Sequence, residues 1–296
     1  MSVYIGLDIG GTKFMAAAAD KNGRILRRCR TGEASSQDGE LIASAVHLKL
    51  EDDLEILHAM IASVAANEPI AAIGAAAGGP LDWKSGVISP LHQPHWRNVP
   101  LKTIFETRWQ CPFFIDVDTN VAALGELRFG LAVPSRFLYL TLSTGMGGAF
   151  LIDGEIYRGA NGAHPEVGHQ SIPFHCANPD AVYCECGLPD CLEGLVSGNA
   201  IRRIYQKPAQ ELKPDEWSEV AYNLGLGLRN LAAILAPDEI RLGGGVALGG
   251  GAPFIAAANQ TMLNHLRIVP PPKVTLSSLG YDTALLGALA LALKDS

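Results

Sequence analysis

The sequence predicts an α/β chain folded as two lobes, each built around a mixed sheet. Three observations lead there. At 296 residues the chain is close to two units of about 150 each. Hydrophobic residues make up 48% and charged residues 18%, which supplies a large buried core and excludes a disordered chain. The 32 glycines are clustered without a period, at Gly10-Gly11, Gly78-Gly79, Gly145 to Gly148, Gly243 to Gly245 and Gly249 to Gly251. Several clusters follow a short apolar run directly, as when a buried strand enters a tight turn.

Taken in order, Val3 to Asp8 reads as a strand that breaks at Gly10-Gly11. Phe14 to Ala19 and Arg24 to Arg30 form a hairpin around Asn22-Gly23, a strong two-residue turn signal. Leu54, Leu57, Ile61 and Val64 recur at helical spacing within Asp52 to Asn67, with Asp52 or Asp53 available as N-cap. Ile70 to Ala76 is a strand ending in glycines, Leu101 to Trp109 a short amphipathic helix after Pro100, Phe113 to Val117 a strand, and Asp118 to Phe129 an Ala-rich helix. The grammar then repeats: strand Phe137 to Leu142, glycine turn Ser143 to Gly148, strand Ala149 to Ile152, turn Asp153-Gly154. Helices follow at Gly194 to Tyr205 and at Pro214 to Leu235, the latter with Ala221, Leu224, Leu228, Leu231 and Leu235 on one face. Glu239 to Leu242 and Val274 to Ser277 are strands, and Thr283 to Leu293 is a closing helix. Two halves that each open strand, glycine turn, strand predict an internal duplication.

Composition also removes whole classes of function. Lys plus Arg is 23 and Asp plus Glu is 30, a net charge of −7 with no basic run, so a nucleic-acid groove has no electrostatic support. The start MSVYIGLDIGG does not read as a signal peptide, since it lacks a basic start and its short apolar run ends in Asp8 and glycines. The longest apolar stretch, Ala284 to Leu293, is far below the ~20 residues that span a bilayer. Six cysteines without a secretory signal argue for reduced thiols or metal ligands, and the expected compartment is the cytoplasm.

Three glycine turns can carry chemistry. In Asp8-Ile9-Gly10-Gly11-Thr12-Lys13 the glycines let backbone N–H groups face an anion, Thr12 adds a hydroxyl, and Asp8 is placed to hold Mg²⁺ through water. The plain alternative is an ordinary hairpin turn. Leu142 to Gly148 offers a second phosphate cradle, and Gly243-Gly244-Gly245 permits close approach of a flat ring such as adenine. None is a Walker motif, and the second is no dinucleotide fingerprint, because the chain continues as a hairpin. Cys184, Cys186 and Cys191 supply three soft ligands within eight residues, and tetrahedral Zn²⁺ needs a fourth from His169, His175 or Cys176. Four protein ligands leave no open position, so the site would be structural. For a catalytic base, Asp116 and Asp118 are rivals: residues two apart in a strand face the same way. Asp118 could also merely cap the helix that follows.

DIGGTK at 8–13, LSTGMGG at 142–148 and LGGG at 242–245 resemble the phosphate and adenosine motifs of the ROK family of sugar kinases and sugar-responsive repressors. GANGAHPEVGH at 159–169 resembles its Glu-x-Gly-His segment, and CECGLPDCLE at 184–193 its zinc segment. The resemblance runs along nearly the whole chain. It implies an actin/hexokinase-like (ribonuclease H-like) fold of two duplicated lobes, residues 1–117 and 118–282, with 283–296 packing back on the first and the active cleft between them. It implies an ATP- and Mg²⁺-dependent kinase of a hexose hydroxyl, with structural Zn²⁺. Asp8, Gly10, Gly11, Thr12, Lys13, Thr144, Gly145, Gly147, Gly243, Gly244 and Gly245 would bind the nucleotide. Asp118, in a stretch resembling the family's Asp-x-Asn-x-Ala-Ala, would be the general base and leads over Asp116. Gly79, Asp118, Glu166, His169 and Glu193 would meet the sugar, and His169, Cys184, Cys186 and Cys191 the zinc. Two departures, Val117 for a common Asn and Pro165 for a common Gly, lie around the sugar and bear on which sugar is taken. Glucose is the default acceptor, with fructose, mannose and N-acetylhexosamines as alternatives. A non-catalytic sugar sensor is the competing reading; a repressor is disfavoured because Asp8 leaves no room before it for a DNA-binding domain. A homodimer is expected by analogy.

Overall fold

The computed structural model describes residues 2–11, 13–32, 49–91 and 93–294. The chain divides into two compact units, Met1–Gly130 with Asp282–Ser296, and Leu131–Tyr281. The first contains β1 (Val3–Ile9), β2 (Phe14–Ala19), β3 (Ile25–Arg30), α1 (Leu50–Ala65), β4 (Ile70–Ala77), the short β5 (Leu81–Asp82), β6 (Val87–Ile88) and β7 (Val99–Pro100), α2 (Leu101–Trp109), β8 (Phe113–Val117) and α3 (Asp118–Phe129). The second contains β9 (Arg136–Leu142), β10 (Met146–Ile152), β11 (Glu155–Ile156), α4 (Glu193–Val196), α5 (Gly198–Tyr205), α6 (Pro214–Leu235), β12 (Glu239–Gly243), α7 (Gly244–His265) and β13 (Lys273–Leu276). The last helix, α8 (Thr283–Ala292), belongs to the first unit.

The first sheet has the order β3-β2-β1-β4-β8 and the second β11-β10-β9-β12-β13. In each, the first three strands are antiparallel and the last two run parallel to the third. This shared order is the duplication that the repeated grammar predicts. Strands β5, β6 and β7 form a small separate sheet in the first unit.

In the first unit, Ile5 and Leu7 of β1 pack with Leu57 and Ile61 of α1 and with Phe105 of α2. On other surfaces of the sheet strands, Leu285 and Leu289 of α8 meet Ala17 and Ala19, while Ala288 and Leu291 meet Ala76 and Val121. Glycine makes this close approach feasible: a Cβ on Gly74 would run into the Ala288 carbonyl, and one on Gly287 into the Val121 carbonyl. Because α3 is tied to α8 through Val121, the division falls after Gly130 and not at 117/118. In the second unit, Leu138, Leu140 and Leu142 of β9 share a core with Leu224, Leu228 and Leu231 of α6.

Four local expectations need correction. Lys49 occupies the N-cap of α1; Asp53 is buried and accepts hydrogen bonds from Trp96 Nε1 at 2.7 Å, with His95 Nε2 at 2.8 Å, fastening the 90–98 loop to the helix. The turn after β9 is shorter than Ser143 to Gly148, since Gly147 and Gly148 lie in β10 opposite Thr141 and Leu140. The helix expected over 194–205 breaks at Ser197, whose hydroxyl caps α5 by accepting the Ala200 N–H at 3.2 Å. Helix α7, bent at Gly251 (φ 62°) ahead of Pro253, was hidden by its glycines. Among the described residues, no helix is long and apolar enough to cross a membrane.

Candidate active site and metal centre

In the first unit the carboxyl ends of three parallel strands lie side by side. Asp8 pairs with Ala76, Ile9 with Ala77, and Ala77 with Val117, so the segments after β1, β4 and β8 share one end of the sheet. Ligand sites of α/β sheets favour that end. Burial, and next the Asp118 carboxylate, push the Asp8 carboxyl up to about 6, with Lys13 opposing. Asp118 is exposed as the first residue of α3, and its Oδ1 accepts the Thr119 N–H at 2.7 Å. Asp116 is buried, and its Oδ1 accepts both the Val117 N–H at 2.8 Å and Asn120 Nδ2 at 3.0 Å. The two rivals are thus separated: Asp116 organises the start of α3, while Asp118 reaches solvent. The Gly10 N–H donates to the Lys13 carbonyl at 3.1 Å, closing the turn, and Gly11 and Lys13 are exposed. Thr12 lies outside the described residues. A Cβ on Gly79 would sit 3.6 Å from Val117 Cγ1, which places the glycine turn after β4 against the residue preceding Asp118.

In the second unit, the β9–β10 turn is clasped by the segment that follows the cysteines. The Gly198 N–H donates to the Ser143 carbonyl at 2.7 Å and the Asn199 N–H to the Thr144 carbonyl at 3.1 Å. The Met146 N–H donates to Glu193 Oε2 at 2.7 Å. Gly145 lies against the same carboxylate; a Cβ there would come within 2.9 Å of Oε2. At the end of β12, Gly243 is required by the Tyr139 hydroxyl beside it and Gly244 by its φ of 84°, so chain packing explains both. Gly245 has open space, bounded at 4.0 Å by Tyr281.

His169, Cys184, Cys186 and Cys191 form the candidate metal centre, with one donor atom from each lying within 4.8 Å of the others. Backbone pairing brings the parts together. Ser171 bridges Cys191, the Leu192 N–H donates to the Gln170 carbonyl at 3.0 Å, and the Cys184 N–H and Leu188 carbonyl close the knuckle at 3.0 Å. Zinc with sulfur at about 2.3 Å and nitrogen at about 2.0 Å requires tetrahedral edges of about 3.8 Å between sulfurs and about 3.5 Å from sulfur to nitrogen. Cys186 Sγ is 3.5 Å from Cys191 Sγ, and Cys184 Sγ is 3.4 Å from His169 Nδ1. The donor set therefore fits zinc in kind and in spacing. Without metal, burial pushes the Cys184 thiol up to about 11 and Cys191 up to about 12, while backbone hydrogen bonding from Leu188 leads in lowering Cys186.

His175 and Cys176 are committed elsewhere. Asn223 clamps the His175 backbone, accepting its N–H at 3.0 Å and donating to its carbonyl at 2.7 Å, and the His175 ring packs on Tyr222. Cys176 packs beside the core of the second unit and near Glu219, which accepts the Ala177 N–H at 2.9 Å.

The candidate metal centre adjoins the Glu166 carboxylate, which lies near two imidazoles. Glu166 Oε1 is 3.3 Å from His164 Nε2, and Oε2 is 3.8 Å from His169 Nε2. The His164 hydrogen bond leads in holding the Glu166 carboxyl below its ordinary value, against the opposing effect of burial. Sequence reasoning singled out Glu166 and His169 and passed over His164; the signal was the His-x-Glu-x-x-His spacing.

A glucokinase from Halalkalibacterium halodurans is 27% identical to this chain, over 96% of it and 93% of its own length. A fructokinase from Zymomonas mobilis is 32% identical, over 98% of this chain and 96% of its own. Among solved structures, a ROK family glucokinase from Streptomyces griseus in complex with glucose and AMPPNP matches with a TM-score of 0.78 and 28% identity, over 99% of this chain and 100% of that one. The fold is accordingly mixed α/β of the actin/hexokinase-like class. The family model ROK covers residues 4–295, and the chain belongs to the ROK family.

Proposed function

We propose that this chain, an ATP-dependent sugar kinase by its family and relatives, phosphorylates a hexose hydroxyl with Asp118 as general base. The observation that carries the base assignment is the contrast at the start of α3: Asp116 is buried and bonded within the chain, whereas Asp118 is exposed. Asp118 takes the proton of the attacking hydroxyl as its oxygen forms the new bond to phosphorus, and ADP departs with the electrons of the bond that breaks. Such transfers depend mostly on positioning and charge neutralisation, with one carboxylate orienting the nucleophile.

ATP would supply the phosphoryl group, and Mg²⁺ would neutralise its charge. Asp8, Gly10, Gly11, Thr12 and Lys13 would hold the phosphates and the ion. Asp8 suits a hard cation because it is a carboxylate destabilised by burial and by Asp118, which a positive charge relieves. Thr144, Gly145 and Gly147 would support the nucleotide, and Gly243 to Gly245 the adenosine. His169, Cys184, Cys186 and Cys191 would hold zinc as a closed structural centre that fastens the 170–192 segment. Gly79, Glu166, His169 and Glu193 would meet the sugar, carboxylates being suited to accept from adjacent hydroxyls. Fructose ranks beside glucose as the first acceptor to test, since the fructokinase relative is 32% identical over 98% of this chain.

The test is ADP release with ATP and Mg²⁺ across a panel of hexoses, amino sugars and N-acetyl sugars. Turnover is expected with at least one sugar. Asp118→Asn is expected to lower kcat by roughly 10²–10⁴-fold while calorimetry still detects ATP binding. A silent wild-type protein overturns the kinase reading, and an active Asp118→Asn variant overturns the base assignment alone.

A further inference from the structure

We propose that His164 is a positioning residue which, together with His169, fixes the Glu166 carboxylate in one orientation and so sets which pair of sugar hydroxyls it accepts. The inference rests on the kinase reading above and extends it to a residue outside the metal centre.

The backbone on both sides of Glu166 is constrained. Before it, the Gly159 N–H donates to the Ala163 carbonyl at 2.7 Å and the Ala163 N–H to the Ala160 carbonyl at 3.1 Å, so a closed loop delivers His164 to a defined place. Pro165 restricts φ between His164 and Glu166. After it, the His169 N–H returns to the Glu166 carbonyl at 3.1 Å. The Glu166 side chain itself is 61% exposed, and an exposed glutamate otherwise samples several rotamers. Here each carboxylate oxygen has its own imidazole: Oε1 faces His164 Nε2 and Oε2 faces His169 Nε2.

The two imidazoles differ in what holds them. His169 turns Nδ1 toward Cys184 Sγ within the candidate metal centre, which leaves Nε2 on the side of Glu166. His164 is outside that donor group. Hydrogen-bonded on Oε1 by His164, with His169 facing Oε2 at longer range, Glu166 keeps acceptor capacity for a pair of hydroxyls. With His164 removed the carboxylate would lose that hydrogen bond and could turn toward other hydroxyl geometries. Pro165 thereby has a role in presenting His164 and Glu166.

The experiment compares wild type, His164→Ala and His164→Gln by kinetics over the sugar panel, by calorimetric sugar binding without nucleotide, and by metal analysis. His164→Ala is expected to raise KM for the preferred sugar and its calorimetric Kd by roughly tenfold and to flatten discrimination between epimeric hexoses. Its kcat and its KM for ATP should stay within about twofold, with metal content unchanged. His164→Gln, whose amide can donate to the same oxygen, should recover most of the loss. Unchanged sugar affinity and discrimination in His164→Ala overturn the proposal. So does a loss shared equally by ATP binding, kcat and metal content, or a His164→Gln variant no better than His164→Ala. Wild-type turnover is measured first, so failure of the kinase reading is seen separately from failure of the His164 assignment.

Discussion

The Glu193 carboxylate accepts the Met146 backbone N–H at 2.7 Å, two residues after Cys191. One short helical start thus joins the cysteine segment to the glycine turn between β9 and β10. Removing the acceptor leaves that N–H without its partner, a loss of about 1–3 kcal/mol where the group stays buried. Glu193→Ala is expected to raise KM for ATP by roughly 5- to 100-fold, and Glu193→Gln, which keeps an acceptor oxygen, to raise it far less. If only the sugar KM moves, Glu193 serves the sugar and its bond to Met146 is incidental to nucleotide binding.

Asp8 gives the stability of the ligand-free protein a distinctive dependence on pH. Its carboxyl lies at about 6 in the folded protein against 3.8 ordinarily, so above pH 6 the native state carries the cost of a half-buried, repelled charge. Between about pH 6 and pH 4 the native state takes up the proton before the unfolded chain does, and this group's contribution improves as pH falls. Asp8→Asn is expected to stabilise the ligand-free protein by about 1–3 kcal/mol at pH 7.5, to give no such gain near pH 4, and to abolish turnover. Denaturant melts at the two pH values measure it; equal shifts at both would show that Asp8 ionisation is not responsible.

Metal analysis of the native protein is expected to return about one zinc per chain. Cys186→Ser should lose it, and sugar affinity should fall by at least roughly tenfold as the 170–192 segment loosens. Loading should release protons, because burial holds the Cys184 and Cys191 thiols protonated without metal, so apparent zinc affinity should decline as pH is lowered. A native protein free of zinc after metal-replete expression would end the assignment.

Much of the fold could be read from short-range signals. The heptad-like run of Ala221, Leu224, Leu228 and Leu231 marks α6, and Phe113 to Val117 followed by the Ala-rich 118–129 stretch marks β8 and α3. What stayed hidden was set by neighbours distant in sequence. Asp53 suggested a cap, but Trp96 and His95 claim its carboxylate. Gly147 and Gly148 suggested turn, yet cross-strand pairing with Thr141 and Leu140 keeps them extended. The glycines of α7 argue against helix locally, and its buried Phe254, Ile255, Ala258 and Met262 overrule them. At the candidate site, the cysteine spacing pointed to the cluster that Cys184, Cys186 and Cys191 form with His169, while the place of His164 on Glu166 depends on how the 159–163 loop closes.

The return of α8 to the first unit sets an order of events during synthesis. Residues 131–281 are contiguous and can collapse as soon as they clear the ribosome, although they are made second. The unit begun at β1 must wait: until residues 283–292 emerge, Ala17, Ala19, Ala76 and Val121 lack the partners that cover them. The nascent chain therefore exposes an alanine-rich sheet surface for most of its translation time. A stop codon that removes only α8 should leave the later-made unit folded and the earlier-made one dependent on chaperones.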